Sequence, residues 1–134
     1  MAQEDTFIMV KPDGVRRRLV GEVISRFEAK GLDLQRLEMV LPDKAVAAAH
    51  YAEHEGKPFY DDLIDFVTSG PVVAMHWSGE SAITVARSMM GVTDPAVALP
   101  GTIRGDFGLE VGENIVHGSD SPESAARELA LWFT

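Results

Sequence analysis

Four short apolar runs of strand length, separated by segments with helical spacing, confine this chain to a mixed sheet-and-helix fold. "TFIMVK" is β-branched and aromatic and stops at the turn "PDG", so it reads as a strand that carries Lys11 to its C-terminal end. Val20, Val23, Ile24 and Phe27 then recur at helical spacing, and Gly31 is placed to cap that helix. "LDLQRLEMVL" predicts a second strand whose alternation slips near Gln35 and Arg36. Pro42 and Asp43 open an alanine-rich helix through about His54, Gly56 and Pro58 break it, and "FYDDLIDFV" predicts a shorter helix. "PVVAMHW", between Gly70 and Gly79, is a buried strand, with the helix "ESAITVARSMM" after it. "NIVHG" predicts the last strand. Ser121, Pro122 and Glu123 then supply an N-cap, an N1 proline and an early acid for the final helix.

From Gly91 to Glu113 there is no periodicity, and a loop so long in so small a chain is ordinarily functional or disordered. The order β-α-β-α-α-β-α-loop-β-α predicts an α+β, ferredoxin-like sandwich. It comprises a four-stranded antiparallel sheet, helices covering one face, and a long functional loop before the last strand. A length of 134 residues, 46% of them hydrophobic, predicts one domain over 1–134 with a single core.

The charge balance narrows the partners. Twelve Lys and Arg against 21 Asp and Glu give a net charge of −9, which opposes general attraction to nucleic acid or to an anionic membrane. There is no long apolar run, "MAQEDTF" lacks a basic leader, and cysteine is absent, so the expectation is a soluble cytoplasmic protein without disulfide or thiolate chemistry. An anionic substrate would then need a local basic pocket, which makes clustered cations informative.

Lys11 at a strand end, Arg87 on a helix and Arg104 between the glycines of "GTIRGDFG" are such cations, although each taken alone is more often a surface charge. The glycines beside Arg104 would let backbone approach a ligand closely. His117, at the junction of strand, turn and helix, is either a structural turn histidine or a covalent nucleophile, with Glu128 on the next helix placed to orient it. "HYAEH", His50 to His54, fits the H-x-x-E-H zinc-peptidase pattern, but the helix around it is broken by Gly56 and Pro58, and a solvated helix face is the simpler reading. His76 reads as a core or interface histidine, and Arg16 to Arg18 as a solvated run. Neither a P-loop nor G-x-G-x-x-G occurs.

"NIVHGSDSPESA", together with "VKPDGV", "SGPVVAMHW", "MMGVTDP" and "PGTIRGDF", resembles the nucleoside diphosphate kinase family over nearly the whole chain, in the family's order and spacing. The resemblance implies transfer of the γ-phosphate of a nucleoside triphosphate, typically ATP, to a nucleoside diphosphate, in ping-pong fashion through a phosphohistidine and with little base specificity. It implies that His117 is the nucleophile, held by Glu128 directly or with Ser119. Lys11 would contact the ribose hydroxyl and the transferring phosphoryl, with Tyr51 near the histidine and helping to hold the lysine. Arg87, Thr93 and Arg104 would bind phosphates, Phe59 and Val111 would sandwich the base, Leu63 would line the slot, and Asn114 would meet the sugar. Mg²⁺ would arrive with the nucleotide, without a dedicated metal site. A homo-oligomer is implied, hexamer or tetramer built from a common dimer, with the loop near Pro100 and Gly101 at an assembly interface.

Three positions depart from the family pattern. Arg18 stands where glycine is usual, Glu113 where arginine is common, and Thr134 follows "LWF" without the C-terminal extension that some members use at subunit contacts. The alternative from another class is a non-catalytic module that binds an anionic metabolite through Lys11, Arg87 and Arg104 and has no use for the histidine.

Overall fold

The computed structural model describes residues 2–133; Met1 and Thr134 lie outside the described residues. Strands β1 (Gln3–Val10), β2 (Asp33–Val40), β3 (Val72–Glu80) and β4 (Val116–Gly118) form one sheet in the order β2-β3-β1-β4. All its pairings are antiparallel. The helices are α1 (Pro12–Arg16), α2 (Val20–Lys30), α3 (Lys44–His50), α4 (Tyr60–Val67), α5 (Ala82–Met90), α6 (Ile103–Phe107) and α7 (Pro122–Trp132), with a 3-10 turn over Ala52–His54. No helix among the described residues is long and apolar enough to cross a membrane.

The local signals act as their chemistry predicts. Asp43 caps α3 by accepting from the Val46 amide at 2.9 Å, and Ser121 caps α7 by accepting from Ser124 at 3.1 Å, with Pro122 following it. Gly31 ends α2 at φ +108°. The slipped alternation of β2 is a register shift between Leu34 and Arg36.

Both faces of the sheet are covered, which corrects the one-face expectation. Ile8, Val10, Val73, Met75 and Trp77 pack with Val23 and Phe27 of α2 and with Ala82, Ala86 and Met90 of α5. Phe7, Met9, Val72 and Ala74 point the other way, onto Ala47 of α3, Ile64 and Val67 of α4, and Trp132 of α7. The reason is visible in β1, where every residue from Thr6 to Val10 is fully buried: a strand covered on both sides needs an unbroken apolar run instead of an alternating one. Each fully buried large side chain contributes about 1.5–3 kcal/mol.

Two boundaries also move. β3 runs on through Gly79 and Glu80, because its partner β1 continues to Gln3, and α5 begins only at Ala82. The stretch from Gly91 to Glu113 holds α6, a single turn capped by Thr102, whose side chain accepts from Gly105 N–H at 3.0 Å. Five residues are too few to show helical periodicity.

Candidate active site

The C-terminal end of β1, the start of β4 and the loops around them surround a cavity of about 800 Å³. Lys11, Tyr51, Phe59, Leu63, Arg87, Thr93, Arg104, Val111, Asn114, His117 and Glu128 all line it. Residues drawn from 11 to 128 thus converge on one cleft. Ser119 lies behind the lining, buried against β1.

His117 sits on β4, paired with Met9 of β1. Its Nε2 is 3.0 Å from Glu128 Oε1, and Ser119 Oγ donates to the same oxygen at 2.7 Å. Arg127 lies 3.6 Å from the other Glu128 oxygen. A carboxylate can only accept, so Nε2 carries the ring proton and Nδ1 keeps its lone pair. Burial lowers the His117 pKa from its ordinary value, Glu128 opposes this, and Lys11 and Arg104 add to the lowering. The ring is therefore neutral at neutral pH.

The cations are held differently from one another. Lys11 Nζ donates to Asn114 Oδ1 at 2.8 Å, and burial followed by the charge of Arg104 brings it down to about 8. Arg104 is buried and donates to three carbonyls, Gly91 O at 2.9 Å, Asn114 O at 3.2 Å and Val116 O at 2.6 Å, which leaves two of its five donors. Burial and Arg87 lower it to about 10. Arg87 donates to Gly118 O at 2.9 Å. Lys11, Arg87, Arg104 and, beside Glu128, Arg127 thus face one cavity in a chain of net charge −9. The glycine after Arg104 serves the loop itself: a Cβ on Gly105 would collide with the Leu99 carbonyl oxygen.

Tyr51 lines the cleft, but Lys11 bonds Asn114 and not the tyrosine, whose hydroxyl is buried without a partner. Burial, and next Glu128, raise its pKa. Phe59 and Val111 are exposed at the rim, 48% and 58%.

Within "HYAEH", α3 ends at His50 and the chain tightens into the 3-10 turn, so the two histidines do not share a helix face. His54 instead bonds Lys57, and Glu53 lies near Arg127. His50 is buried beside the active centre, its ring 4.5 Å from that of His117, and its Nδ1 accepts from the Trp132 indole at 3.1 Å. Burial, and then the charges of His117, Arg127, Lys11 and His54, bring it down to about 2. His50, His117 and Glu128 form a cluster with metal-ligand spacing. Yet a neutral His50 that accepts at Nδ1 must carry its proton on Nε2, which leaves it no lone pair for an ion.

The family model described as nucleoside diphosphate kinase matches residues 4–134. The chain belongs to the nucleoside diphosphate kinase family. It is 62% identical over 130 residues to the nucleoside diphosphate kinase of Exiguobacterium sp., covering 97% of this chain and 94% of that one. With the Bacillus licheniformis enzyme the identity is again 62%, covering 97% and 88%. Solved structures agree: a family protein from Babesia bovis has TM-score 0.95 at 54% identity, covering 98% and 88%. A halophilic enzyme from Halobacterium salinarum, in complex with CDP, has TM-score 0.96 at 50% identity, also covering 98% and 88%. As a nucleoside diphosphate kinase, this protein is a phosphotransferase acting on nucleotides.

The departures from the family pattern acquire physical content. Arg18 has φ +63°, the left-handed region that a glycine enters without strain. Glu113, where the family commonly has arginine, instead pairs with Arg16 at 3.3 Å on exposed side chains. His76 pairs with Asp5 at 2.8 Å, away from the cleft. Sequence reasoning gave no role to His50, Trp132, Asp13 or Asp120. The partners of the first three lie far along the chain, His50 with Trp132 and Asp13 with Ile115, whereas Asp120 accepts from Ser124 one turn away.

Proposed function

We propose that this enzyme moves the γ-phosphate of a nucleoside triphosphate, typically ATP, to a nucleoside diphosphate through a phosphohistidine at His117. One observation carries the reading: Glu128 holds Nε2 and leaves Nδ1 unprotonated in a cleft shared with Lys11, Arg87 and Arg104. In the first half-reaction Nδ1 attacks the γ-phosphorus, the bond to the β-phosphate oxygen breaks, and the departing diphosphate keeps that electron pair. The proton stays on Nε2, where Glu128 offsets the positive charge that develops on the ring. In the second half, a β-phosphate oxygen of the acceptor attacks phosphorus and the P–N bond breaks, restoring the neutral ring.

Phosphoryl transfer asks mainly for alignment and for stabilisation of negative charge. Arg87, Thr93 and the two free donors of Arg104 bind the nucleotide phosphates, and Lys11 meets the ribose hydroxyl and the moving phosphoryl. The unpartnered Tyr51 hydroxyl is available to that same region. Phe59 and Val111 stack on the base, Leu63 lines the slot and Asn114 meets the sugar. Stacking reads no base edge, so base specificity is low. Mg²⁺ supplies charge neutralisation when it enters with the nucleotide. The donor set fits ligation chiefly by phosphate and water, with the Asp120 carboxylate of the cleft near Arg87 as the protein's contribution. The test is steady-state kinetics with ATP and a series of diphosphates: parallel double-reciprocal lines support the reading, and intersecting lines contradict it.

The same reading makes the whole chain one domain, cytoplasmic, and part of a homo-oligomer, a hexamer or tetramer built from dimers. Leu37, Met39 and Leu41 support the assembly: they lie on or beside edge strand β2 with 43%, 62% and 68% exposure. Met39→Glu is expected to shift the mass seen by light scattering to a smaller species; an unchanged mass places the interface elsewhere.

A further inference from the structure

The sequence reads "PDG" as a plain turn, but Asp13 within it is 2% exposed, and its carboxylate reaches 102 residues along the chain. Asp13 Oδ2 accepts from the Ile115 amide at 3.0 Å, while Oδ1 is buried with no partner. Ile115 has φ +75°, a conformation foreign to a β-branched residue, and the Val116 amide donates back to Asn114 O at 2.8 Å. Together these define a γ-turn of the rare, strained kind centred on Ile115. The Lys11 amide donates to Ile115 O at 2.7 Å, so the turn's central residue is clipped on both sides by residues 11–13. Gly14 permits the close approach: a Cβ there would lie 3.1 Å from Ile115 O and 2.7 Å from Val10 Cγ1.

What the turn presents is the sugar-side end of the cleft. Asn114 Oδ1 takes Lys11 Nζ, its side-chain nitrogen donates to Thr93 O at 3.0 Å, and its carbonyl takes Arg104 Nε. One side chain on α1 therefore sets three groups that face the nucleotide. Burial pushes the Asp13 carboxyl up from its ordinary value, opposed by the Ile115 amide and Lys11. A first-turn acid kept only for the helix terminus would do its work solvated, without an oxygen buried and unpaired.

We infer that Asp13 is a positioning residue for the sugar-contacting subsite, holding the strained γ-turn at Ile115 so that Asn114 and Lys11 grip the ribose hydroxyl. The inference rests on the phosphohistidine reading above. The experiment measures the rate at which ATP and 3′-deoxy-ATP phosphorylate His117 in wild type, Asp13→Ala and Asp13→Asn, each checked for fold by circular dichroism. Wild type is expected to prefer ATP, Asp13→Ala to lose roughly tenfold of that preference, the scale of one hydrogen bond to a charged group, and Asp13→Asn to recover it, since an amide oxygen still accepts from Ile115. If Asp13→Ala does not fold, Asp13→Glu takes its place, its longer reach displacing the acceptor with the same expected loss. A wild type without ribose preference, or an Ala or Glu variant that keeps it, overturns the inference while leaving the phosphohistidine intact. A wild type that is never labelled overturns the reading beneath it.

Discussion

At the scale of single residues, two titrating groups bound the working pH. The His117 ring must be neutral to attack, and its pKa is lowered, so kcat/KM is expected to fall on the acid side with a midpoint below 6.5. On the alkaline side, Lys11 loses its charge as pH rises through about 8, and nucleotide capture weakens with it. A kcat/KM profile against pH should therefore be bell-shaped with those two limbs; an acid limb well above pH 6.5 contradicts the environment described for the ring. Glu128→Ala removes the acceptor that fixes the ring tautomer and is expected to slow phosphoenzyme formation by roughly 10²-fold in rapid-quench measurements, less than the loss seen when a buried triad acid is replaced. A rate within a factor of two of wild type would release Glu128 from that role.

At the scale of elements, the turn between α1 and α2 stores strain at Arg18. A left-handed residue costs about 1–2 kcal/mol, and glycine gives back about 0.4–1 kcal/mol through the unfolded chain, so Arg18→Gly is expected to stabilise by about 0.5–1 kcal/mol in urea denaturation. A loss of stability would show that the Arg18 side chain does something its exposed position does not reveal. The strands were legible because each holds a run of β-formers flanked by Gly or Pro, although β3 runs on past Gly79, and the caps at Asp43 and Ser121 because a cap is read from adjacent residues. The two-sided sheet was written in the unbroken burial of Thr6 to Val10, yet a short apolar run does not say what covers it. The α6 turn is shorter than the window that periodicity needs. His117 and Glu128 could be paired because the helix that follows the histidine brings Glu128 back towards it within two turns of its cap at Ser121. His50 with Trp132, and Asp13 with Ile115, are joined only by folding across 82 and 102 residues, and no local signal marks them.

At the scale of the whole molecule, a buried neutral histidine ties stability to pH. His50 stays neutral in the folded state down to about 2, whereas the unfolded chain takes up a proton near 6.5. Its contribution is thus full above the unfolded value and is lost as pH falls below it, by about 2 kcal/mol at pH 5. His50→Asn, whose amide oxygen can replace Nδ1 as acceptor for Trp132, is expected to lose that much less stability than wild type between pH 7 and pH 5 in chemical denaturation. Equal losses would mean that His50 is not the group responsible. The net charge of −9 sets the second global term: anionic nucleotides approach a repelling surface and are captured by the local cations of the cleft. The central claim remains the chemistry of one ring nitrogen. Incubation with γ-labelled ATP and Mg²⁺ is predicted to give an acid-labile, base-stable phosphoprotein that an added nucleoside diphosphate discharges. His117→Ala should take up no label; label that persists in that variant, or wild type that takes up none, would contradict the account.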